Sequence, residues 1–289
     1  MEWEKAKQVF IYILIAINIV LFAFNYKNSR KYTITAAQEK AVYTLLSNNG
    51  IGLYTELISD YEPMRQIAVT SKTIDDDDIR KSFFQADENV SITVEFDSTI
   101  YQSGEKTVAI SGNRIVFSNP KGTADIKNLN RKNAVEEAEK FLKTVGFDNI
   151  KSAQAGDVKE REDGYVVEFS ESYNDIKMFC STEDIFVTSK GVEEATLVFY
   201  TPDGYTGEKK EICSCDEALL TVLYEMKDEE SGVKKGTYIE KIERGYDFQE
   251  ESDISEINTF RLVPCYRVYV SNREDAYMVN AYTNTIIEE

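Results

Sequence analysis

The feature that most constrains this chain is an uninterrupted apolar segment close to its N-terminus. From Val9 to Tyr26 the sequence VFIYILIAINIVLFAFNY contains no charged side chain. As a single helix this segment would be roughly 27 Å long, which is close to the thickness of a membrane's hydrocarbon core, about 30 Å. We therefore predict a transmembrane helix over residues 9–27. The alternative is a helix buried in a protein core.

The flanks of this segment favour an anchor that is not removed. No small-residue cleavage pattern follows the run, and the first cysteine of the chain is Cys180, so neither signal cleavage nor lipid attachment is predicted. Basic residues near the run number two before it and three after it. A short tail before the helix and a long region after it nevertheless predict a single-pass protein of the cell membrane, with residues 1–8 cytoplasmic and the bulk of the chain extracytoplasmic.

A single amide lies near the middle of the apolar run. An unpaired amide in hydrocarbon is costly, and a second helix can satisfy it for roughly 0.6 to 2 kcal/mol. Helical spacing places this amide on one stripe with a second amide and five apolar residues. The predicted transmembrane interaction stripe is Ile11, Leu14, Ile15, Asn18, Leu21, Phe22 and Asn25. We expect it to contact a partner helix. The alternative is a lipid-facing amide tolerated by a very hydrophobic helix.

Charge and composition exclude several classes of function. The chain has 51 acidic and 33 basic residues and a net charge of −18, so we expect no nucleic-acid partner and no attraction to anionic lipid headgroups. It contains no histidine, which excludes Ser-His-Asp and Cys-His nucleophiles and the HExxH metal site. We therefore predict a protein that is not an enzyme, with no catalytic residues, no cofactor and no metal site.

Each of three remaining motifs has a structural interpretation beside a catalytic or metal-binding one. Ser103-Gly104-Glu105-Lys106 spells S-x-x-K, but it lies between two predicted strands as a hairpin turn would. Asp75 to Asp78 could hold Ca²⁺, although the run leads directly into a short predicted helix that its carboxylates could cap. The four cysteines of the chain are Cys180, Cys213, Cys215 and Cys265. They could form disulfides, remain buried thiols or bind zinc, and their spacing matches no common zinc site.

The rest of the chain predicts an α+β fold of repeated modules, each a helix followed by antiparallel strands. The segment NAVEEAEKFLKTVGF has helical spacing and is followed by three stretches with strand character separated by turn signals. CDEALLTVLYEMKD begins a second such unit, with Asp216 as its expected N-cap. A less regular unit begins with the helix predicted in TAAQEKAVYTLLSNNG. The modules are placed at 28–125, 126–205 and 206–289.

The N-terminus resembles a known family. MEWEKAKQVFI, with Trp3, Lys5 and Lys7 before a single span, looks like the opening of the YycI family of two-component-system regulatory proteins, and the following LLSNNGIGLYTELI also resembles the early part of that family. The resemblance implies a membrane-anchored accessory that works with a YycH-like companion. Together they would adjust a sensor histidine kinase that controls cell-wall metabolism. Asn18 stands where the family tends to have Asp, which keeps the polarity and loses the ionisable group.

The C-terminus resembles a second kind of domain. CYRVYVSNREDAYMVNAYTNTIIE is similar to the end of PepSY-type domains, in which a strand pair ends near a Y-T-G turn. Asn284 replaces that glycine, and Asn can also adopt the left-handed conformation. This resemblance implies a PepSY-like fold for the modules. It also implies an alternative function, an extracytoplasmic module that binds or restrains a peptidase or a cell-wall ligand.

Overall fold

The structure, a computed structural model, describes residues 2–71, 75–145, 154–198, 200–229, 232–249, 259–273 and 275–287. Its helices are α1 (Glu2–Lys31), α2 (Ala36–Asn48), α3 (Asp76–Phe83), α4 (Arg131–Val145) and α5 (Cys215–Asp228). The strands in the first half of the chain are β1 (Gly52–Leu53), β2 (Met64–Ser71), β3 (Ser91–Val94), β4 (Thr99–Ser103), β5 (Lys106–Ser111) and β6 (Arg114–Ser118). Those in the second half are β7 (Gln154–Arg161), β8 (Gly164–Tyr173), β9 (Ile176–Thr188), β10 (Gly191–Val198), β11 (Tyr200–Lys210), β12 (Tyr238–Phe248), β13 (Thr259–Val270), β14 (Tyr277–Asn280) and β15 (Thr285–Ile286).

These strands form one hydrogen-bonded sheet. The main path runs β11-β2-β13-β12-β9-β10-β6-β5-β4-β3, and the remaining strands pair at its sides. Most neighbours are antiparallel, with parallel pairs between β1 and β12 and between β12 and β9. The predicted α+β class is confirmed, with sheet as the larger part. Strands from all three predicted modules share this sheet, and the module boundaries stay a prediction.

Two main hydrophobic cores lie between helices and sheet. Helix α4 packs on β8, β9 and β10, with Ala138 and Leu142 buried against residues such as Val187. Helix α5 packs on β13, β14 and β15, and α2 packs against α5 and β1, with Leu46 and Leu219 buried in this core. In both cores a helix covers a sheet face, which is the arrangement that the amphipathic spacing of α4 and α5 predicted.

Helix α1 covers the predicted apolar run. Within the described residues, no helix combines the length and the apolar character that a membrane crossing requires. The predicted span over residues 9–27 includes side chains that lie outside the described set, among them Val9 and Asn25. The transmembrane assignment therefore stays a prediction.

The helix caps correct one prediction and confirm another. Helix α5 is capped by Ser214, not by Asp216, because the Ser214 backbone N–H donates to Glu217 Oε2 over 3.0 Å in a capping box. Asp216 lies in the first turn instead, where its carboxylate suits the positive end of the helix. Asp75 caps α3, accepting a 2.8 Å hydrogen bond from the Asp77 N–H, so the capping interpretation of the aspartate run is confirmed.

The structure also shows the conformation of two turns and the state of the four cysteines. Ser103 and Lys106 are paired at the ends of the β4–β5 hairpin, and Lys106 Nζ lies 2.7 Å from Glu88 Oε1, so the hairpin interpretation is confirmed. Asn284 has a φ of 54°, the left-handed conformation expected of it.

All four cysteines are free thiols. Burial raises the pKa of Cys213 to about 12, so this thiol stays protonated at neutral pH.

One close backbone approach yields a test of stability. Gly122 and Gly104 both have positive φ, but a Cβ on Gly122 would lie 1.9 Å from the Lys190 carbonyl oxygen whereas one on Gly104 would meet nothing within 4 Å. We expect Gly122→Ala to reduce the free energy of unfolding by about 2 kcal/mol or more, and Gly104→Ala by about 1 kcal/mol from left-handed strain alone. Urea unfolding measures both. Equal losses would show that the loop relaxes around the added methyl group.

Candidate functional site

The candidate site is the exposed apolar surface of helix α1. Every side chain from Phe10 to Phe22 is exposed, including Ile11 at 55% and Phe22 at 72%. A helix that is hydrophobic all round is normally buried in a protein or in a membrane. This part of α1 therefore presents a surface that a partner or a lipid environment would have to cover.

The predicted interaction stripe lies on this surface. One continuous helix carries all of its positions, so residues three, four and seven apart share a face. Six stripe side chains are described, and all are exposed: Ile11, Leu14, Ile15, Asn18, Leu21 and Phe22. The seventh, that of Asn25, lies outside the described residues. The described part of the stripe thus presents one exposed amide among apolar groups.

The N-terminal motif residues lie on the first turns of the same helix. Lys7 Nζ lies 5.5 Å from the centre of the Trp3 ring, a cation–π contact one helical turn apart. The side chain of Lys5 lies outside the described residues. The spacing of Trp3 and Lys7 therefore has a structural consequence within α1, independent of any partner.

Helix α1 joins the sheet domain through a compact polar junction. Lys31 Nζ donates to the Tyr32 hydroxyl over 2.8 Å and to Glu211 Oε1 over 3.0 Å, and the Tyr32 hydroxyl donates to the same carboxylate. The Tyr61 hydroxyl donates to the Lys31 carbonyl oxygen over 3.2 Å, and the rings of Tyr32 and Tyr61 meet edge to face. The last turn of α1 is thus fixed to the segments before β2 and after β11.

The electrostatics of this junction favour its charged form. Hydrogen bonds with Tyr32 and Glu211 raise the pKa of Lys31, and the hydrogen bond from Lys31 lowers the pKa of Glu211. Both side chains are exposed, so the ion pair contributes orientation more than stability.

The junction continues into the sheet. Thr33 forms an isolated bridge with Asp60, and the carboxylate of Asp60 accepts a 2.8 Å hydrogen bond from Arg244 in β12. Asp60 and Arg244 also line a cavity of about 350 Å³. These contacts therefore link the chain segment that follows α1 to β12 beside this cavity.

Sequence reasoning did not identify this junction. Lys31 and Glu211 are 180 positions apart, and neither residue carries a local signal of its partner. The tyrosines at positions 32 and 61 also look like ordinary surface aromatics in the sequence. Only the pairing of distant strands brings them together.

Comparisons with known proteins describe the fold and no more. No family profile and no curated protein matches the chain significantly. The chain is similar to the crystal structure of an uncharacterized protein from Eubacterium rectale ATCC 33656, with a TM-score of 0.54 and 12% identity over 82% of this chain and 89% of that one. This likeness shows a shared fold.

A second solved structure is more distant. It is the C-terminal domain of Bacillus megaterium YpeB, with a TM-score of 0.40 and 14% identity over 75% of this chain and 97% of that one. A score this low does not establish a common fold. The PepSY-like and YycI-like assignments therefore remain predictions from the sequence.

Proposed function

We propose that this chain is a membrane-anchored accessory regulator that binds a sensor histidine kinase through α1 and adjusts its activity together with a YycH-like companion. The observation that supports the proposal is the exposed apolar surface of α1 between Phe10 and Phe22. The resemblance of the N-terminal residues to the YycI family supplies the kind of partner. In this proposal the sheet domain lies outside the cell and is coupled to α1 through the Lys31–Glu211 junction.

The energy of one amide contact suits regulation. A partner helix that satisfies Asn18 gains roughly 0.6 to 2 kcal/mol. An accessory that binds one signalling state of a kinase better by about 1.4 kcal/mol shifts the ratio of the two states tenfold. A reversible contact of this strength can adjust a kinase without locking it.

The test removes the amides and keeps the apolar helix. We expect the double variant Asn18→Leu and Asn25→Leu to reduce co-purification with the kinase from solubilised membranes by up to about tenfold, because the partner loses its hydrogen bonds. The matched control is Ile17→Leu, a change of apolar shape outside the stripe, which should leave association unchanged. Unchanged co-purification and kinase output in the double variant would contradict the α1 contact, and recovery of the wild-type chain in the soluble fraction would contradict the anchor.

A truncation separates this function from the alternative. If association resides in α1, a chain without residues 33–289 should still co-purify with the kinase. If the protein is instead a PepSY-like module that restrains a peptidase or binds a cell-wall ligand, that deletion should remove every partner. Survival of kinase binding therefore supports the first function, and its loss supports the second.

A further inference from the structure

Strand β3 is an open edge of the sheet. It is the last strand of the main path, and within the described residues it pairs with β4 alone. Its four side chains are exposed, including Ile92 at 47% and Val94 at 77%, and Phe96 in the following turn is fully exposed. An exposed apolar edge strand is a template for pairing with another chain.

The apolar side chains of β3 extend a buried face of the sheet. Ile92 lies opposite Tyr101, Tyr101 opposite Val108, and Val108 opposite Phe117, so these residues point to the same face. Tyr101, Val108 and Phe117 are buried, and the Phe117 ring contacts Phe141 of α4. Ile92 continues this row beyond the helical cover. The hydrophobic face is therefore one strand wider than the layer that protects it.

Within the part of the chain that the structure describes, β3 also has backbone hydrogen-bonding groups on the edge that no strand pairs with. The Glu95 N–H donates to the Ser98 carbonyl oxygen over 2.8 Å and closes the β3–β4 hairpin. Because backbone groups alternate in direction along an antiparallel strand, Thr93 faces β4. The N–H and C=O groups of Ile92 and Val94 then point away from the sheet. An added strand could use both residues without disturbing the β3–β4 pairing.

The charge of this edge selects the partner. From Gln85 to Glu105 the sequence contains five acidic residues and no basic one. Two of the five form ion pairs, Glu88 with Lys106 and Glu105 with Lys121. Asp87, Glu95 and Asp97 are exposed around the strand. A second copy of this chain would bring the same acidic edge against itself, which like-charge repulsion disfavours, whereas a basic segment would be attracted.

We propose that β3 is a docking edge for an extended segment of a partner protein, with apolar residues at alternate positions and lysine or arginine at its ends. The partner segment would add a strand beside β3, with its apolar side chains against Ile92 and Val94 and its basic ends near Glu95 and Asp97. This surface is separate from α1, so the inference does not depend on the kinase proposal.

The test uses a synthetic peptide of the sequence KKVTVTVKK and the full chain in detergent. Fluorescence anisotropy should show saturable binding of the labelled peptide. Val94→Pro should weaken it by about five- to tenfold, since one outward N–H is lost while the β3–β4 ladder is kept. Val94→Thr, which keeps the N–H, is the matched control and should have the smaller effect. Equal binding by wild type and Val94→Pro would overturn the proposal.

A second set of peptides guards against misfolding of the proline variant. Methylating the peptide backbone nitrogens that face β3 should abolish binding to the wild-type chain, and methylating the alternate nitrogens should not. A peptide with glutamate in place of its lysines should bind at least about tenfold more weakly. Absence of binding, indifference to the methylation pattern, or a dimer of the chain that Val94→Pro dissociates would each overturn the assignment.

Discussion

Replacing Glu183 by glutamine is expected to stabilise the folded protein at pH 8 by roughly 2 to 4 kcal/mol, because a charged carboxylate is costly to bury. Glu183 is fully buried in β9, and neither of its carboxylate oxygens has a hydrogen-bond partner among the described residues. Burial raises the pKa of Glu183 to about 8, with further contributions from Glu171 and Asp184. Glutamine has the same shape and no charge to bury.

The sign of the pH dependence follows from proton binding. Burial also raises the pKa of Glu171 to about 7, although the Ser181 hydroxyl donates to it over 3.2 Å. Between about pH 4.5 and the raised pKa values of Glu171 and Glu183, the folded state holds protons that the unfolded state releases. Stability should therefore fall as pH rises from about 4.5 to 8 and become level above it. In Glu183→Gln the fall should be shallower and should end near pH 7.

Urea unfolding at pH 5, 6.5 and 8 measures this effect. Glu193→Gln is the matched control, because Glu193 is a partnered carboxylate of the adjacent strand. Although burial opposes it, hydrogen bonds from Thr188 and Lys190 lower the pKa of Glu193. Its replacement should destabilise the protein at pH 8, by less than about 1 kcal/mol. If Glu183→Gln is no more stable than wild type at pH 8, the folded protein does not disfavour the charged form of Glu183.

Replacing Phe117 by alanine is expected to reduce the free energy of unfolding by about 3 to 5 kcal/mol. Phe117 is 2% exposed, and its ring lies 5.7 Å from that of Phe83 in α3 and 5.1 Å from that of Phe141 in α4. The three rings also line a cavity of about 760 Å³. Removing the central ring would enlarge that cavity and leave both helices without their common contact.

The neighbouring residue supplies the control for this change. Val116 follows the same strand but points to the opposite face and is 39% exposed, so Val116→Ala should cost about 1 kcal/mol or less. Thermal unfolding of both variants, followed by circular dichroism, makes the comparison. A similar loss in the two variants would mean that the aromatic cluster does not hold α3 and α4 to the sheet.

The parts of the fold that the sequence predicted are those with local signals. Helices α4 and α5 follow from the spacing of their apolar residues, and the Asn284 turn follows from its resemblance to a glycine turn. The cap of α5 was missed because Asp216 is as good a capping type as Ser214. The distinguishing signal was Glu217, which stands three residues after the serine and completes a capping box.

Features set by distant pairing had no such signal. The Lys31–Glu211 contact and the open edge at β3 depend on which strands are neighbours in the sheet. The burial of Glu171 had no signal for a different reason, because simple alternation along β8 does not predict that both Ser170 and Glu171 are buried. The register of β8 on β9 shifts between Ser170 and Ser172, and this irregularity brings both side chains inside.

The position of β2 has a consequence for the order in which the chain can fold. β2 belongs to the first quarter of the sequence, yet it lies between β11 and β13, with Ile67 opposite Leu262. During synthesis β2 emerges long before either neighbour, so one edge stays unpaired until β11 is made and the other until β13 is made. Contacts between such distant segments make folding slow and leave intermediates prone to aggregation. A nascent chain of this protein would therefore depend on chaperones, or on rapid completion, more than its well-packed cores alone would indicate.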